Sequence, residues 1–433
     1  MKAFIKNGLL QAFCTKAITS LSSVVLVFLI NSVYSLEDVG RYAVFQSVLL
    51  CYALIARFGI NNTIMFYIGV GYGKFKASPV IYEGMKYTLS ICFCLSLLLF
   101  YISTIFNFFK LNQNFVVLIC LLGPILSFCY IFAGALRGLR RPSLAILMES
   151  GGVSLLMILI LWLTLQSNLK LGVEELYKWA LYTTVAIGLA SVIYCTFVND
   201  RLLNDKCHLN RRKFISKSSS FFIISISGFL QNSSIFLIGS YFLEVSDIGT
   251  LKLLHQLTLI FSFVLVVSNT VIPPRLAKLY SEDKLESFER LIRLGASVGF
   301  LTSVLILSFV LVFHNVIFNF LSIPINSTVI KSFLILSIAQ VINVSTGCVN
   351  FALTMSGKEK VARNIVVITS TIGILIYTIL ISNFGLPGAM FGVAIMVILQ
   401  NLLMVVYVRY RMKIRTTPSL SVINWFYNEK FKS

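Results

Sequence analysis

The chain has 433 residues, of which 58% are hydrophobic and only 12% are charged, and its mean hydropathy is +0.89. A soluble domain keeps roughly a quarter of its residues charged, so this composition excludes an ordinary soluble protein. The net charge of +20 would suggest nucleic-acid binding in a soluble protein. In a membrane protein it follows from the retention of Lys and Arg in cytoplasmic loops, and we expect no nucleic-acid partner.

Twelve apolar stretches each supply the roughly 20 residues that a helix needs to cross a bilayer. We therefore predict an all-α polytopic membrane protein with twelve transmembrane helices. The predicted spans are Thr15–Tyr34, Tyr42–Val70, Tyr87–Phe106, Phe115–Leu136, Ser143–Leu165, Leu176–Val198, Phe221–Leu243, Ile248–Ile272, Leu294–Phe313, Thr328–Met355, Asn364–Ile381 and Pro387–Val408.

The basic residues alternate from loop to loop. Clusters follow the fourth span, precede the seventh and follow the last, whereas the intervening loops hold little more than Arg41, Lys110, Lys170 and Lys178. Because Lys and Arg stay on the cytoplasmic side, both termini are expected to be cytoplasmic. The basic N-terminus lacks a small-residue cleavage site, so we interpret the first span as a retained helix.

Two six-span halves are predicted, residues 1–217 and 218–433, the second with a basic cytoplasmic tail. The longest inner loop separates them. The segment Glu37–Gly40 after the first span weakly resembles Val245–Gly249 after the seventh, which suggests an internal repeat. Duplicated halves are common in secondary transporters. After Pro273-Pro274, apolar residues at helical spacing predict a short amphipathic helix on the membrane surface, with Leu285, Phe288 and Ile292 on its apolar face.

Arg57 is the most informative polar residue because it lies midway along the second span. An Arg at the bilayer centre costs roughly 2.5–3.5 kcal/mol on insertion scales, so it needs a partner or a watery cavity. At 100° per residue, Gln46 and Asn61 fall within about 40° of it, which predicts one polar stripe on this helix. The alternative is a structural Arg bonded to neighbouring carbonyls.

The eighth span carries a second polar set. His255, Ser262 and Asn269 recur every seven residues and are predicted to share a face, toward which Lys252 leans. His255 is a candidate proton carrier, and the alternative is a hydrogen-bonded structural His. Lys252 has the alternative of reaching the headgroups.

Three further residues are candidates with open alternatives. Lys16 in the first span would line the same cavity or mark the cytoplasmic boundary. Glu149 is the one acid well inside a predicted span. It would bind a coupling H⁺ or Na⁺, or else pair with Arg140 or Arg141 near the inner boundary. Asn343 in the tenth span would hydrogen-bond a sugar or hold helices together.

The candidate cations Arg57, Lys252, Lys16 and His255 outnumber the single acid Glu149. A positive cavity suits an anionic ligand, and a guanidinium matches phosphate oxygens in bidentate fashion. No catalytic residues, metal-ligand spacing or nucleotide-binding motif is recognised, so we expect a transporter without a cofactor, not an enzyme.

The segment EDVGRYAVFQS after the first span, the RFG-x-N motif at Arg57–Asn61 and the Gly-basic turn after the fourth span carry a family resemblance. With the six-plus-six architecture, they resemble the polysaccharide flippases of the multidrug/oligosaccharidyl-lipid/polysaccharide (MOP) superfamily, above all the O-antigen (Wzx-type) flippases. The resemblance implies a V-shaped, two-lobed transporter of the bacterial inner membrane. It would move undecaprenyl-diphosphate-linked oligosaccharides to the periplasmic leaflet by alternating access, beside a polysaccharide polymerase and a chain-length regulator. It also implies cavity cations, a role that Arg57 fits best.

Two other functions compete with this one. A cation-coupled exporter of small drugs on the same fold would prefer acids in its cavity. A membrane polysaccharide polymerase would need a substantial outer loop, and every predicted outer loop is short.

Overall fold

The computed structural model describes residues 2–70, 78–105, 113–139, 141–166, 177–180, 182–190 and 211–419. Within these ranges the regular structure is helical. The first half contains α1 (Lys2–Val33), α2 (Leu36–Arg57), α3 (Ile60–Val70), α4 (Ser78–Ile105), α5 (Gln113–Gly138), α6 (Pro142–Ile146), a π-helical segment (Leu147–Gly151) and α7 (Gly152–Gln166). Residues 177–180 and 182–190, inside the sixth predicted span, are also helical.

The second half continues the helical chain. It contains α8 (Arg211–Asn232), α9 (Ser234–Phe242), α10 (Val245–Thr258), α11 (Phe263–Ser281), α12 (Leu285–Val312), α13 (His314–Phe320), α14 (Ser327–Ser345), α15 (Val349–Met355) and α16 (Glu359–Arg411). In the described residues, seven helices are long and apolar enough to cross a membrane, or nine if two bent helix pairs each form one span. The chain is an all-α polytopic membrane protein, as predicted.

Helix α16 contains two predicted spans. It runs for 53 residues, about 80 Å if straight, against a hydrocarbon core of about 30 Å. Gly385 interrupts it with φ 59° and ψ −135°. A Cβ placed on Gly392 would lie 2.9 Å from the Cα of Tyr377, although the two residues are fifteen positions apart. The chain therefore doubles back at Gly385, which places the eleventh and twelfth predicted spans side by side.

The predicted surface helix after Pro273-Pro274 is wrong in detail. Helix α11 continues through both prolines to Ser281, and Leu285 begins the long helix α12. Phe288 and Ile292 are fully buried in the core of the second half, whereas Leu285 is exposed. The apolar spacing that predicted a membrane-surface helix therefore belongs to the buried face of α12, which contains the ninth predicted span.

The described helices form two compact units, Met1–Tyr241 and Phe242–Ser433. Helix α8 packs within the first unit, against α2 and α3. Phe58 stacks on Phe222 at 4.6 Å, and Ser218 donates a hydrogen bond to Thr63 at 3.0 Å. Gly59 has φ 71°, and a Cβ there would collide with the backbone oxygen of Ser218. The division into halves at residues 217 and 218 rests on the repeat of six spans and stays a prediction.

Candidate functional site

Arg57 is the last residue of α2, and the helix breaks directly after it. Phe58 takes the left-handed conformation with φ 41° and ψ 40°, Gly59 follows with φ 71°, and α3 begins at Ile60. The two left-handed residues turn the chain, so the step of 100° per residue does not continue from Arg57 to Asn61. The predicted single stripe on one uninterrupted helix is therefore wrong beyond Arg57. Gln46 lies on α2 and is partly buried.

The guanidinium of Arg57 lies over the ring of Tyr130 on α5, with its Cζ 3.9 Å from the ring centroid. Its Nε and Nη1 atoms are buried, and they have no hydrogen-bond partner among the described residues. None of the ion pairs observed in the described ranges involves Arg57. The aromatic ring is therefore the contact that stabilises this charge. The alternative of a structural Arg bonded to carbonyls finds no support for these two nitrogens.

Asn61 also contacts α5, one helical turn beyond Tyr130. A Cβ on Gly134 of α5 would collide with the backbone oxygen of Asn61, so the two backbones are in direct contact. Asn61 is buried, and its Oδ1 has no hydrogen-bond partner in the described part of the chain. Tyr130 and Gly134 are four residues apart and share a helix face. Arg57 and Asn61 thus line one wall, which is built by α5.

Glu149 is paired with a residue that the sequence analysis did not name. Its Oε1 lies 2.6 Å from Nη2 of Arg137, near the end of α5. The predicted partners were Arg140, which lies outside the described residues, and Arg141, and a pairing with either stays a prediction. Arg137 follows Tyr130 by seven positions, which is about two helical turns and the same face. That spacing is the signal that would have found Arg137.

Four side chains make one charged cluster in the first unit. Arg57, Arg137 and Glu149 are all close enough to Tyr130 for their charges to act on its hydroxyl. Two guanidinium groups and one carboxylate leave this cluster, which we call the Arg57 cluster, with an excess positive charge. Such an arrangement is suited to receive an anion.

Lys16 lies on α1, three residues before Thr19. Thr19 is buried, and a Cβ on Gly151 would collide with its side chain. Helix α1 therefore packs against the end of the π-helical segment. Lys16 itself is only partly buried. Its two predicted roles, cavity cation and boundary residue, stay predictions.

The polar residues of the eighth span lie in the second unit. Lys252 and His255 are buried on α10, with 9% and 7% exposure. The span then breaks at 259–262, where Phe261 and Ser262 donate to Thr258 and Leu259 three residues back. Because such turns have about three residues each, the seven-residue register is lost. The prediction that His255, Ser262 and Asn269 share a helix face is therefore wrong.

Asn269 lies on α11, beyond that break. It is partly buried, and its Oδ1 is buried and has no hydrogen-bond partner in the ranges that the structure describes. The prediction that it lines the same cavity as Arg57 stays a prediction.

Asn343 belongs to a hydrogen-bond network between α14 and α16. Its Nδ2 donates to Gln340 at 3.0 Å, and its Oδ1 accepts from Asn401 Nδ2 at 2.9 Å. Thr346 donates to Asn401 Oδ1 at 3.2 Å. This geometry matches the alternative in which Asn343 holds helices together. In the described part of the chain, no group of three or more His, Cys, Asp or Glu residues is placed to hold a metal ion.

No protein-family model matches the sequence. No curated protein matches it either.

Solved structures match nearly the whole chain. An inward-facing multidrug-resistance MATE transporter of the MOP superfamily aligns with a TM-score of 0.69 and 14% identity, over 92% of this chain and 95% of its own. The MATE multidrug transporter DinF-BH, solved as a complex, gives a TM-score of 0.66 and 16% identity, over 96% and 97%.

A MOP-superfamily transporter from Pyrococcus furiosus, described by a binding pocket of reverse polarity that suggests a different function, gives a TM-score of 0.62 and 16% identity, over 94% and 96%. At these identities the likeness concerns the fold. The chain has the fold of the MATE transporters of the MOP superfamily.

Proposed function

We propose that the protein is a flippase that carries an undecaprenyl-diphosphate-linked oligosaccharide from the cytoplasmic to the periplasmic leaflet of the inner membrane, by alternating access. The observation that supports this most is the state of Arg57. Two of its nitrogens are buried and have no hydrogen-bond partner among the described residues. A buried donor left unsatisfied is unfavourable, and more so when it is charged.

An anionic ligand with several oxygens would satisfy these donors. A guanidinium binds phosphate oxygens through two parallel hydrogen bonds, which are shorter and stronger than neutral ones. Arg57 as a whole is only partly buried, so part of its side chain is exposed while Nε and Nη1 are covered. Asn61 supplies an amide whose Oδ1 is also unsatisfied within the described ranges and would accept a sugar hydroxyl.

The main alternative is a cation-coupled exporter of small drugs. It is favoured by the fold neighbours that are described as multidrug transporters. A cationic drug would need a free carboxylate, and in the Arg57 cluster the carboxylate of Glu149 is already bound by Arg137. The Pyrococcus furiosus neighbour, described by its reverse pocket polarity, is a precedent for a different function on this fold.

Deletion of the gene, followed by lipid extraction, tests the proposal. The deletion strain should accumulate single repeat units on lipid diphosphate, and a plasmid copy should restore surface polysaccharide. Drug susceptibility is measured in the same strains. If the deletion sensitises the cells to drugs and leaves the lipid-linked pool unchanged, the exporter is correct and the flippase is wrong.

A further inference from the structure

The fifth predicted span is bent where its acid lies. The helix pair Pro142–Glu149 and Gly152–Gln166 meets at 55°. Glu149 itself has non-helical angles, φ −82° and ψ −138°, inside the π-helical segment. Single π-helical turns within α-helices are frequent at functional sites. Thr19 of α1 packs against Gly151 on the other side of the bend.

One charged contact joins this bend to α5. Arg137 Nη2 and Glu149 Oε1 are 2.6 Å apart, and both side chains are partly buried, with 29% and 18% exposure. Arg137 lies on the face of α5 that carries Tyr130 and, through it, Arg57. The cluster therefore contains one guanidinium with unsatisfied donors and a second that is bound by an internal carboxylate.

We propose that Arg137 is a second anion-binding residue, held by Glu149 until a phosphate group displaces the carboxylate, and that this exchange releases the bend of the fifth span. The inference rests on the proposed function, because it requires an anion to bind at Arg57 first. A phosphate and a carboxylate compete for the same donors of a guanidinium. A diphosphate, with two phosphoryl groups, would engage both arginines.

Besides Arg137, the charged side chains that the structure describes on the elements packed around Glu149 are Lys16 on α1 and Arg141 before α6; α7 carries none. In the described part of these elements Glu149 is the only carboxylate, so it is the group that competes with an incoming anion for Arg137.

The test is anion binding by the purified full-length protein in detergent micelles. Titration calorimetry uses inorganic pyrophosphate and, in parallel, sulfate, whose charge stays constant from mildly acidic to mildly alkaline pH. Both anions should bind to the wild-type protein, and Arg57→Ala should lose most of this binding.

Glu149→Gln removes the competing carboxylate charge, so it should bind both anions several-fold more tightly than the wild-type protein. Glu83→Gln is the matched control, because Glu83 pairs with Arg211 at 2.8 Å in the same unit but outside the cluster. It should keep the wild-type affinity. Hydrogen exchange of peptides that cover residues 142–156 should increase when pyrophosphate binds to the wild-type protein.

The outcomes separate the two proposals. If the wild-type protein binds neither anion, or if Arg57→Ala binds them equally well, the anion site of the proposed function is wrong. If binding depends on Arg57 but Glu149→Gln keeps the wild-type affinity, or if hydrogen exchange at residues 142–156 is unchanged when pyrophosphate binds to the wild-type protein, only the exchange at Arg137 is wrong. Hydrogen exchange is measured on the wild-type protein, so this part of the test does not depend on the folding of any variant.

Discussion

Arg57 lies over the ring of Tyr130 with 3.9 Å between Cζ and the ring centroid, and this contact joins the end of α2 to the middle of α5. A desolvated cation–π contact contributes about 2 kcal/mol or more, against about 0.5–1 kcal/mol at an exposed site. Because Nε and Nη1 are buried, we expect this contact to contribute an amount close to the value for desolvated sites. Tyr130 is therefore the residue that positions the guanidinium of Arg57.

Two replacements of Tyr130 distinguish the contribution of its ring from the contribution of its hydroxyl. Tyr130→Phe keeps the ring and should retain most polysaccharide export. Tyr130→Leu removes the ring, so it should lower the free energy of unfolding by about 2 kcal/mol and should also reduce export. Thermal unfolding in detergent and surface polysaccharide staining measure the two effects. Equal export by both variants would contradict the positioning role.

Only a cationic side chain at position 57 should support export. Arg57→Ala should abolish surface polysaccharide while the protein still inserts, and Arg57→Lys should keep part of it, because an ammonium retains the charge but loses the planar fork. Arg41→Ala is the control on the same helix, where the side chain is half exposed and its carboxylate partner Glu37 is exposed as well. Normal polysaccharide from a well-expressed Arg57→Ala strain would remove Arg57 from the mechanism.

Gly134 should not accept even a methyl group. Gly134→Ala places its Cβ against the backbone oxygen of Asn61, which cannot rotate away. We expect a loss of about 1–3 kcal/mol of stability, as for other overpacked sites. Gly69→Ala on α3 is the matched control, because its Cβ would meet nothing within 4 Å. That variant should be neutral or slightly stabilised, since Ala favours a helix by up to about 1 kcal/mol over Gly. A Gly134→Ala protein with the wild-type unfolding temperature would contradict the contact.

Asn343 and Asn401 should couple in stability. Hydrogen bonds between membrane helices contribute about 0.6 kcal/mol on average and up to about 1.7 kcal/mol. A double-mutant cycle with Asn343→Leu and Asn401→Leu should therefore give a coupling energy in this range, measured by unfolding in mixed micelles. If the single variants keep full stability but lose export, Asn343 binds cargo and does not hold the helices together.

The ends of the second span show what hydropathy misses. The apolar run begins at Tyr42, but α2 begins at Leu36, where Ser35 caps the helix and exchanges hydrogen bonds with Asp38. The other end breaks at Phe58 and Gly59 inside the apolar run. A hydropathy profile reports the solvent that a segment prefers, and polar caps and left-handed residues leave little trace in it.

Composition and local pattern alone determined that this chain is a helical membrane protein, and they singled out Arg57, because the cost of a charge in a bilayer depends on its own segment. The contacts of that charge were decided by tertiary structure. Tyr130 lies 73 positions from Arg57, and Arg137 meets Glu149 where α6 and the π-helical segment pack against α5. Such pairings depend on how helices pack, and packing joins residues whose separation along the chain has no periodicity to read.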